Sequence, residues 1–124
     1  MPLHWTVDSK ERLVIVTAEG DVTGPELEEY IAAMNGAGTM SYRKLYDGSR
    51  GNSGLTEEEL LGIGVRLRAR HATGDRPGPL ALVLSSEQFE QASRVLGMLA
   101  AADRPMRVFS DIAPARHWIE RLPK

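Results

Sequence analysis

Cysteine is absent from the 124-residue chain, so disulfide bonds, cysteine-ligated zinc sites and thiol nucleophiles are excluded. A strong charge of either sign is also missing. The 15 basic and 17 acidic side chains leave a net charge of −2, which provides no long-range attraction to nucleic acid or to an anionic membrane. Long apolar runs are missing too. We therefore predict no nucleic-acid partner and no membrane span.

What is present is the composition of an ordinary soluble globular protein, with 42% hydrophobic and 26% charged residues. A chain of this length is expected to form a single domain, residues 1–124, around one core. The opening residues MPLHWTVDS contain no basic segment followed by an apolar stretch. No signal peptide is expected, and the predicted location is the cytoplasm.

Hydrophobic periodicity predicts five strands and four helices in the order ββαβαβαβα. The first two strands are joined by a tight turn at residues 9–11 and are expected to pair as a hairpin. The first strand alternates between apolar and polar side chains, whereas the second is apolar on both faces and is expected to be central. The predicted strands are residues 3–8, 13–18, 43–47, 79–84 and 106–109.

Helix starts are marked by capping residues, and the inward faces of helices by apolar stripes. The predicted caps are Thr23 with Glu26, Thr56 with Glu59, Ser85 or Ser86, and Asp111. The inward-facing residues predicted for the first and last helices are Leu27, Tyr30, Ile31, Met34, Ala115, Trp118, Ile119 and Leu122.

Strands separated by helices require right-handed crossovers, which place the strands parallel in one sheet. The predicted fold is therefore of the α/β class, a mixed, mostly parallel five-stranded sheet with helices packed on it. The carboxyl ends of its parallel strands meet at one edge, where open α/β sheets bind ligands. The polar residues expected at this edge are Glu19, Asp21, Asp47, Ser49, Ser53, Ser85, Ser110 and Asp111.

The segment YDGSRGNSGLTEEEL, residues 46–60, contains three glycines and two serines between an apolar strand and a helix start. Its composition predicts a flexible loop at the ligand-binding edge of the sheet. Helix N-termini attract anions, but the acidic residues of this segment oppose a high-affinity phosphate pocket. The residues predicted to bind a ligand or partner are Asp47, Ser49, Arg50, Asn52, Ser53, Gly54 and Thr56.

Motifs for nucleotide cofactors and metals are missing. No lysine followed by serine or threonine comes after the loop glycines, so there is no P-loop. The glycine pair Gly62 and Gly64 has Leu67 where a dinucleotide fingerprint needs a third glycine. The three histidines have no spacing that would put two metal ligands on one helix face. We predict no cofactor and no metal.

A serine hydrolase is a third-ranked hypothesis. The segment GNSGL misses the G-x-S-x-G nucleophile elbow by one position. A triad could in principle be assembled from Asp47, Ser49 or Ser53, and His71 or His117, because triads are defined in space rather than by chain order. Any chain with three histidines offers such combinations, so no catalytic residue is predicted and the protein is expected not to be an enzyme.

The strand KLYD is followed by NSGL and a predicted helix, and the last helix lies in FSDIAPARHWI. These motifs and the order of elements resemble the STAS domain of bacterial anti-sigma-factor antagonists, and more closely the SpoIIAA-like, STAS/SEC14-type small bacterial proteins. The resemblance covers nearly the whole chain. In the antagonists a partner kinase phosphorylates the serine of this turn, which releases the partner. The resemblance implies Ser53 as the phosphorylation site.

The leading hypothesis is a non-enzymatic STAS-like regulatory domain that binds a protein partner or a small ligand through residues 47–56. The alternative is a carrier or sensor of a small apolar ligand, which the SEC14-type resemblance implies. Small residues in the predicted third helix, residues 89–102, are compatible with that alternative. An exposed first or last strand could support a homodimer.

Overall fold

The computed structural model describes residues 3–53, 78–85 and 105–124, together with positions 58, 59, 62, 65, 69 and 88. Within these residues the chain forms five strands and two complete helices. In chain order they are β1 (Leu3–Asp8), β2 (Leu13–Val22), α1 (Gly24–Gly36), β3 (Arg43–Ser53), β4 (Leu80–Val83), β5 (Met106–Phe109) and α2 (Ile112–Arg121).

The five strands form one sheet in the order β1-β2-β3-β4-β5. β1 pairs antiparallel with β2, from Leu3 opposite Ala18 to Asp8 opposite Leu13. The pairs β2 with β3, β3 with β4, and β4 with β5 are all parallel. The predicted mixed, mostly parallel sheet is therefore confirmed, as is the predicted hairpin of the first two strands.

The hairpin turns within residues 9–12. The Asp8 carboxylate accepts a hydrogen bond of 3.0 Å from the Glu11 backbone N–H. Arg12 has a φ of +53°, a left-handed conformation that is uncommon outside glycine. Short-range bonding of an aspartate to the backbone is a common way to close such a turn.

Helix α1 covers one face of the sheet. Its N-cap Thr23 accepts a bond from the Glu26 N–H at 3.4 Å, as predicted, and Gly38 follows its end at a φ of +71°. Tyr30 and Met34 are buried against β1 and β2, and the Trp5 and Tyr30 rings meet edge to face at 5.3 Å. Leu3, Val14, Val16, Ala18 and Val22 complete this buried cluster from the strands.

Helix α2 covers the other face of the sheet. Ala115 and Ile119 are buried against Leu45, Ala81 and Val83, as the predicted stripe requires. The Phe109 and Trp118 rings lie 5.9 Å apart beside this cluster. Asp111 occupies the predicted N-cap position, but its side chain makes no capping hydrogen bond. The side chains of β2 alternate between the two faces of the sheet. Val14 and Val16 belong to the cluster under α1, and Leu13 and Ile15 belong to the cluster under α2.

The two predicted middle helices lie mostly outside the described residues. The described positions of the first of them, residues 58, 59, 62, 65 and 69, are all helical. Ser85 begins the second, because its N–H donates to the Gln88 side chain at 2.8 Å and its hydroxyl accepts from the Gln88 N–H at 3.4 Å. This reciprocal pair is a capping box, and it selects Ser85 over Ser86 as the cap.

Two cations are buried at the start of β3, and the sequence analysis did not predict them. Arg43 is 2% exposed and Lys44 is 5% exposed. The Lys44 ammonium donates to the carbonyls of Thr39, Met40 and Tyr42 at 3.1, 2.6 and 2.9 Å, which uses its three N–H groups. Burial of the Lys44 charge is tolerable because its polar atoms are paired in this way, whereas the Nε of Arg43 is buried without a hydrogen-bond partner.

Candidate functional site

Residues 48–53, predicted to belong to a flexible loop, are part of a strand, so the loop prediction is wrong for these residues; residues 54–57 lie outside the described residues. β3 does not end at Asp47 but continues to Ser53, and β2 does not end at Ala18 but continues to Val22. The added residues pair in parallel as Glu19 with Arg50, Gly20 with Gly51, Asp21 with Asn52, and Val22 with Ser53.

This pairing extends beyond the rest of the sheet. β4 pairs with β3 only as far as Val83 opposite Asp47. Residues 19–22 and 50–53, here called the β2–β3 extension, therefore continue for about 13 Å as two strands. Pairing with β2 makes residues 50–53 of the predicted binding segment part of an ordered strand.

The glycines of this segment permit close packing. A Cβ atom at Gly51 would lie 2.9 Å from the Cβ of Ala18 on the neighbouring strand. A Cβ atom at Gly48 would lie 3.1 Å from the Tyr46 ring and 3.2 Å from the Val83 carbonyl oxygen. Glycine in a strand often marks such a close approach. These contacts therefore account for two of the three glycines that predicted a loop.

A β-bulge separates the extension from the main sheet. Thr17 lies opposite Asp47, but Glu19 lies opposite Arg50, so β3 contains one extra residue at this point. The Asp47 carboxylate accepts from the Ser49 N–H at 3.1 Å and from the Ser49 hydroxyl at 2.7 Å. Asp47 thus stabilises the local turn of the bulged strand.

The same two bonds bear on the hydrolase hypothesis. The Ser49 hydroxyl donates directly to the Asp47 carboxylate, whereas a catalytic serine requires a histidine as its base. Of the histidines that the structure describes, His4 on β1 and His117 on α2, neither bonds to Ser49. His71 lies outside the described residues. The described part of the chain assembles no triad.

The structure brings together some of the predicted edge residues and separates others. Glu19, Asp21, Ser49 and Arg50 are exposed on adjacent strands, next to the half-buried Asp47. Ser110 and Asp111 follow β5, which is three strand spacings, or about 14 Å, from β2. Gly54 and Thr56 lie outside the described residues, and so do the side chains of Asn52 and Ser53.

The N-terminus of α1 at this edge already has an anionic neighbour. The Glu59 carboxylate lies against Gly24, the first residue of α1, where a Cβ atom would collide with it. A carboxylate is favourable there because the helix N-terminus carries a partial positive charge. The sequence predicts a capping box of Glu59 with Thr56, which lies outside the described residues, and no local pattern indicates this contact of Glu59 with another helix. A carboxylate of the protein itself therefore already lies beside the N-terminus of α1.

On the other side of the extension, the Gln88 side-chain amide donates to the Gly51 carbonyl oxygen. Gln88 is the same residue that forms the capping box with Ser85. One side chain therefore connects the start of a helix to the edge of β3 that β4 leaves unpaired. This contact satisfies a backbone acceptor that would otherwise be open at the edge of the sheet.

Burial raises the pKa of Tyr46, which precedes the bulge, from its ordinary value of 10.0 to about 12. The folded state then holds the phenol proton more tightly than the unfolded state does. This contribution to stability is complete below pH 10 and is lost as the pH rises from about 10 to about 12. We expect the free energy of unfolding in urea to fall less steeply over this range in Tyr46→Phe than in the wild type. Equal slopes would contradict the prediction.

A cleft of about 350 Å³ lies away from the β2–β3 extension. It is lined by residues of α2, of β1 and of the first part of β2. It contains an ion pair of 2.8 Å between Arg116 and Glu120. Because Leu13 begins β2, the cleft is near the amino ends of the parallel strands and does not coincide with the predicted edge. Its lining residues are Thr6, Asp8, Glu11, Leu13, Ile15, Arg43, Arg116 and Glu120.

No helix in the described part of the chain is long and apolar enough to cross a membrane. Likewise, no three histidine or acidic side chains among the described residues group closely enough to hold a metal ion.

Comparison with known proteins rests on structure. No protein-family model matches the chain, and no curated protein matches it. The structure is similar to the crystal structure of an uncharacterized protein of the DUF3478 family with a SpoIIAA-like fold, from Shewanella loihica PV-4. The TM-score is 0.62 and the sequence identity 17%, over 94% of this chain and 91% of that chain. This likeness and the mixed five-stranded sheet together show that the chain has a SpoIIAA-like fold.

Proposed function

We propose that this chain is a non-enzymatic interaction domain and that its β2–β3 extension binds a protein partner with a basic contact surface. The observation that supports the proposal is the extension itself, a two-stranded surface that continues past β4 and carries exposed charged side chains. Binding to a pre-formed surface costs less conformational entropy than binding to a flexible loop.

The charges favour a basic partner. Glu19 and Asp21 are exposed on β2, and Arg50 is the exposed cation opposite Glu19. The anion position at the start of α1 is next to the Glu59 carboxylate. An anionic ligand would be repelled by these carboxylates, whereas lysine or arginine side chains of a partner would complement them.

The charge of Asp21 provides the test. We expect Asp21→Lys to reduce capture of the partner at least tenfold when the tagged protein is cross-linked in cells of its host. Glu29→Lys is the matched control, since it makes the same charge change at an exposed position on α1 away from the extension. A partner that is captured equally by both variants would contradict the proposal.

Phosphorylation of Ser53 belongs to the same proposal. Ser53 ends β3 opposite Val22, and Val22 directly precedes the α1 cap Thr23. A phosphate there would add about −1.5 to −2 charges near the helix start where the Glu59 carboxylate lies. We infer that this added charge at the end of β3 would change the surface that the extension offers to a partner. Mass spectrometry of the protein isolated from its host tests this, and an unmodified Ser53 in all conditions would contradict it.

A carrier of a small apolar ligand remains the alternative. The helix that suggested it, residues 89–102, lies outside the described residues. Native mass spectrometry distinguishes the two functions. A mass lost only on denaturation would support a carrier, and bare protein that still captures its partner would support the interaction domain.

A further inference from the structure

β1 is an outer strand of the sheet. In the described part of the chain it pairs with β2 alone, so one side of Leu3–Asp8 presents backbone N–H and C=O groups without a neighbouring strand. Exposed strand edges are templates for pairing with another chain. Such an edge pairs with another strand only if it is unprotected and a strand of matching side chains is present.

The usual protections are missing from β1. Its sequence LHWTVD contains no lysine, proline or glycine, and its six pairs with β2 run without a bulge. The opposite outer strand, β5, is only four residues long and carries an exposed arginine, Arg107. On β1 the half-buried Trp5 is followed on the same face by Val7, which is 40% exposed. β1 is therefore the less protected of the two edges.

A second copy of this chain has a matching edge. Two β1 strands related by a twofold axis would run antiparallel, and side chains of one face must meet side chains of the same face. The axis must then pass midway between one residue and the same residue of the partner subunit. An axis at Thr6 puts His4 opposite the partner subunit's Asp8, and Trp5 opposite the partner subunit's Val7, with both pairs repeated by symmetry.

Other registers are less complementary. An axis at Trp5 puts His4 opposite the partner subunit's Thr6 and leaves Asp8 without an opposing strand residue. The Thr6 register pairs an imidazole with a carboxylate and an aromatic ring with a β-branched side chain. Both kinds of cross-strand pair stabilise antiparallel sheets. It also covers Val7, one of the exposed large apolar side chains among the described residues.

We propose that two copies of this chain associate through β1, antiparallel and centred on Thr6, to form a continuous sheet with five strands from each copy. This inference does not depend on the proposed function. β1 pairs with β2 only up to Ala18, so the β2–β3 extension begins beyond the paired edge. Each dimer would present two extensions to partners.

Sedimentation velocity over a range of concentrations tests the dimer. We expect Val7→Lys to raise the dissociation constant at least tenfold, because the ammonium would lie against the partner subunit's Trp5. Ile112→Lys is the matched control and is expected to change it less than twofold. Ile112 is 43% exposed, close to the 40% of Val7, but it begins α2. A protein that is monomeric at every concentration, or a dimer indifferent to Val7→Lys, would overturn the proposal.

A charge test determines the register. His4→Glu would put two carboxylates opposite each other in the Thr6 register and is expected to weaken the dimer at least fivefold. Adding Asp8→Asn should restore most of the affinity, while the asparagine oxygen still accepts the Glu11 N–H in the turn. A dimer that His4→Glu leaves unchanged would exclude this register. Circular dichroism shows whether each variant is folded. If Val7→Lys does not fold, the effect of His4→Glu on the dissociation constant tests the dimer instead.

Discussion

Replacing Arg43 with methionine is expected to lower the free energy of unfolding by about 3 kcal/mol. Arg43 connects three parts of the chain that are distant in sequence. From the start of β3 its guanidinium donates to the carbonyls of Ile119, Glu120 and Leu122 at 3.0, 3.3 and 3.1 Å, and to the Glu11 carbonyl at 2.6 Å.

The first three of these carbonyls belong to the end of α2, where helices leave their last acceptors unpaired. The Glu11 carbonyl belongs to the β1–β2 turn. Methionine fills a similar volume but donates no hydrogen bond. The Ile119 carbonyl keeps its bond from the Leu122 N–H, but all four carbonyls would lose the guanidinium donor. Loss of each satisfied buried group costs about 1–3 kcal/mol, and the four effects will not add fully.

Urea unfolding measures the effect. Arg43→Lys keeps the charge but replaces the planar fork with a single ammonium, which cannot reach the turn and the helix end together. We expect it to recover less than half of the loss. Arg116→Ala is the control, because its ion pair with Glu120 is exposed and such pairs contribute about 0–1 kcal/mol. Equal losses in Arg43→Met and Arg116→Ala would show that Arg43 does not connect these elements.

Replacing Gly78 with alanine is expected to have a comparable effect, about 3 kcal/mol. A Cβ atom at Gly78 would collide with the backbone carbonyl oxygens of Tyr42 and Ser41. Its N–H also donates to the Met40 carbonyl at 2.9 Å, which holds this segment against the start of β3. The obstacle is backbone, and a backbone atom cannot move aside by changing rotamer.

Gly36→Ala is the matched control. Gly36 ends α1, and nothing lies within 4 Å of the position its Cβ atom would take. Alanine is favoured over glycine in helices, so this change is expected to be neutral or to stabilise by up to about 1 kcal/mol. If Gly78→Ala were as stable as Gly36→Ala, the approach between residues 41–42 and residue 78 would not be as close as the structure has it.

Much of the fold was predictable because the signals were local. The alternation of β1, the capping pair Thr23 with Glu26 and the apolar stripes of α1 and α2 each depend on side chains within a few positions of one another. Those patterns also specified which faces are buried, and the requirement for parallel crossovers then constrained the topology. The first hairpin, the mostly parallel sheet and the packing of α1 and α2 on it could be predicted without a functional motif, whereas the order of the strands across the sheet is seen only in the structure.

The candidate site was predicted less well. Asp47, Ser49 and Arg50 do lie near the carboxyl edge of the sheet, and Glu19 and Asp21 join them there. Their setting was predicted wrongly as a loop, because glycine and serine are typical of loops. Gly48 and Gly51 instead fit against Ala18, Tyr46 and Val83. Those contacts come from a neighbouring part of the sheet that a local pattern does not contain.

The burial of Arg43 and Lys44 could not be predicted from local sequence patterns. Arg43 and Lys44 are consecutive polar residues, and a strand places consecutive side chains on opposite faces. Each is nonetheless buried, because backbone carbonyls converge on it, from as far away as residue 122 for Arg43 and from the preceding turn for Lys44. Periodicity and capping therefore specified the elements of this protein, since their causes are local. The paired extension of β2 and β3 and the buried cations required the folded chain, since their stabilising partners are brought together only by tertiary packing.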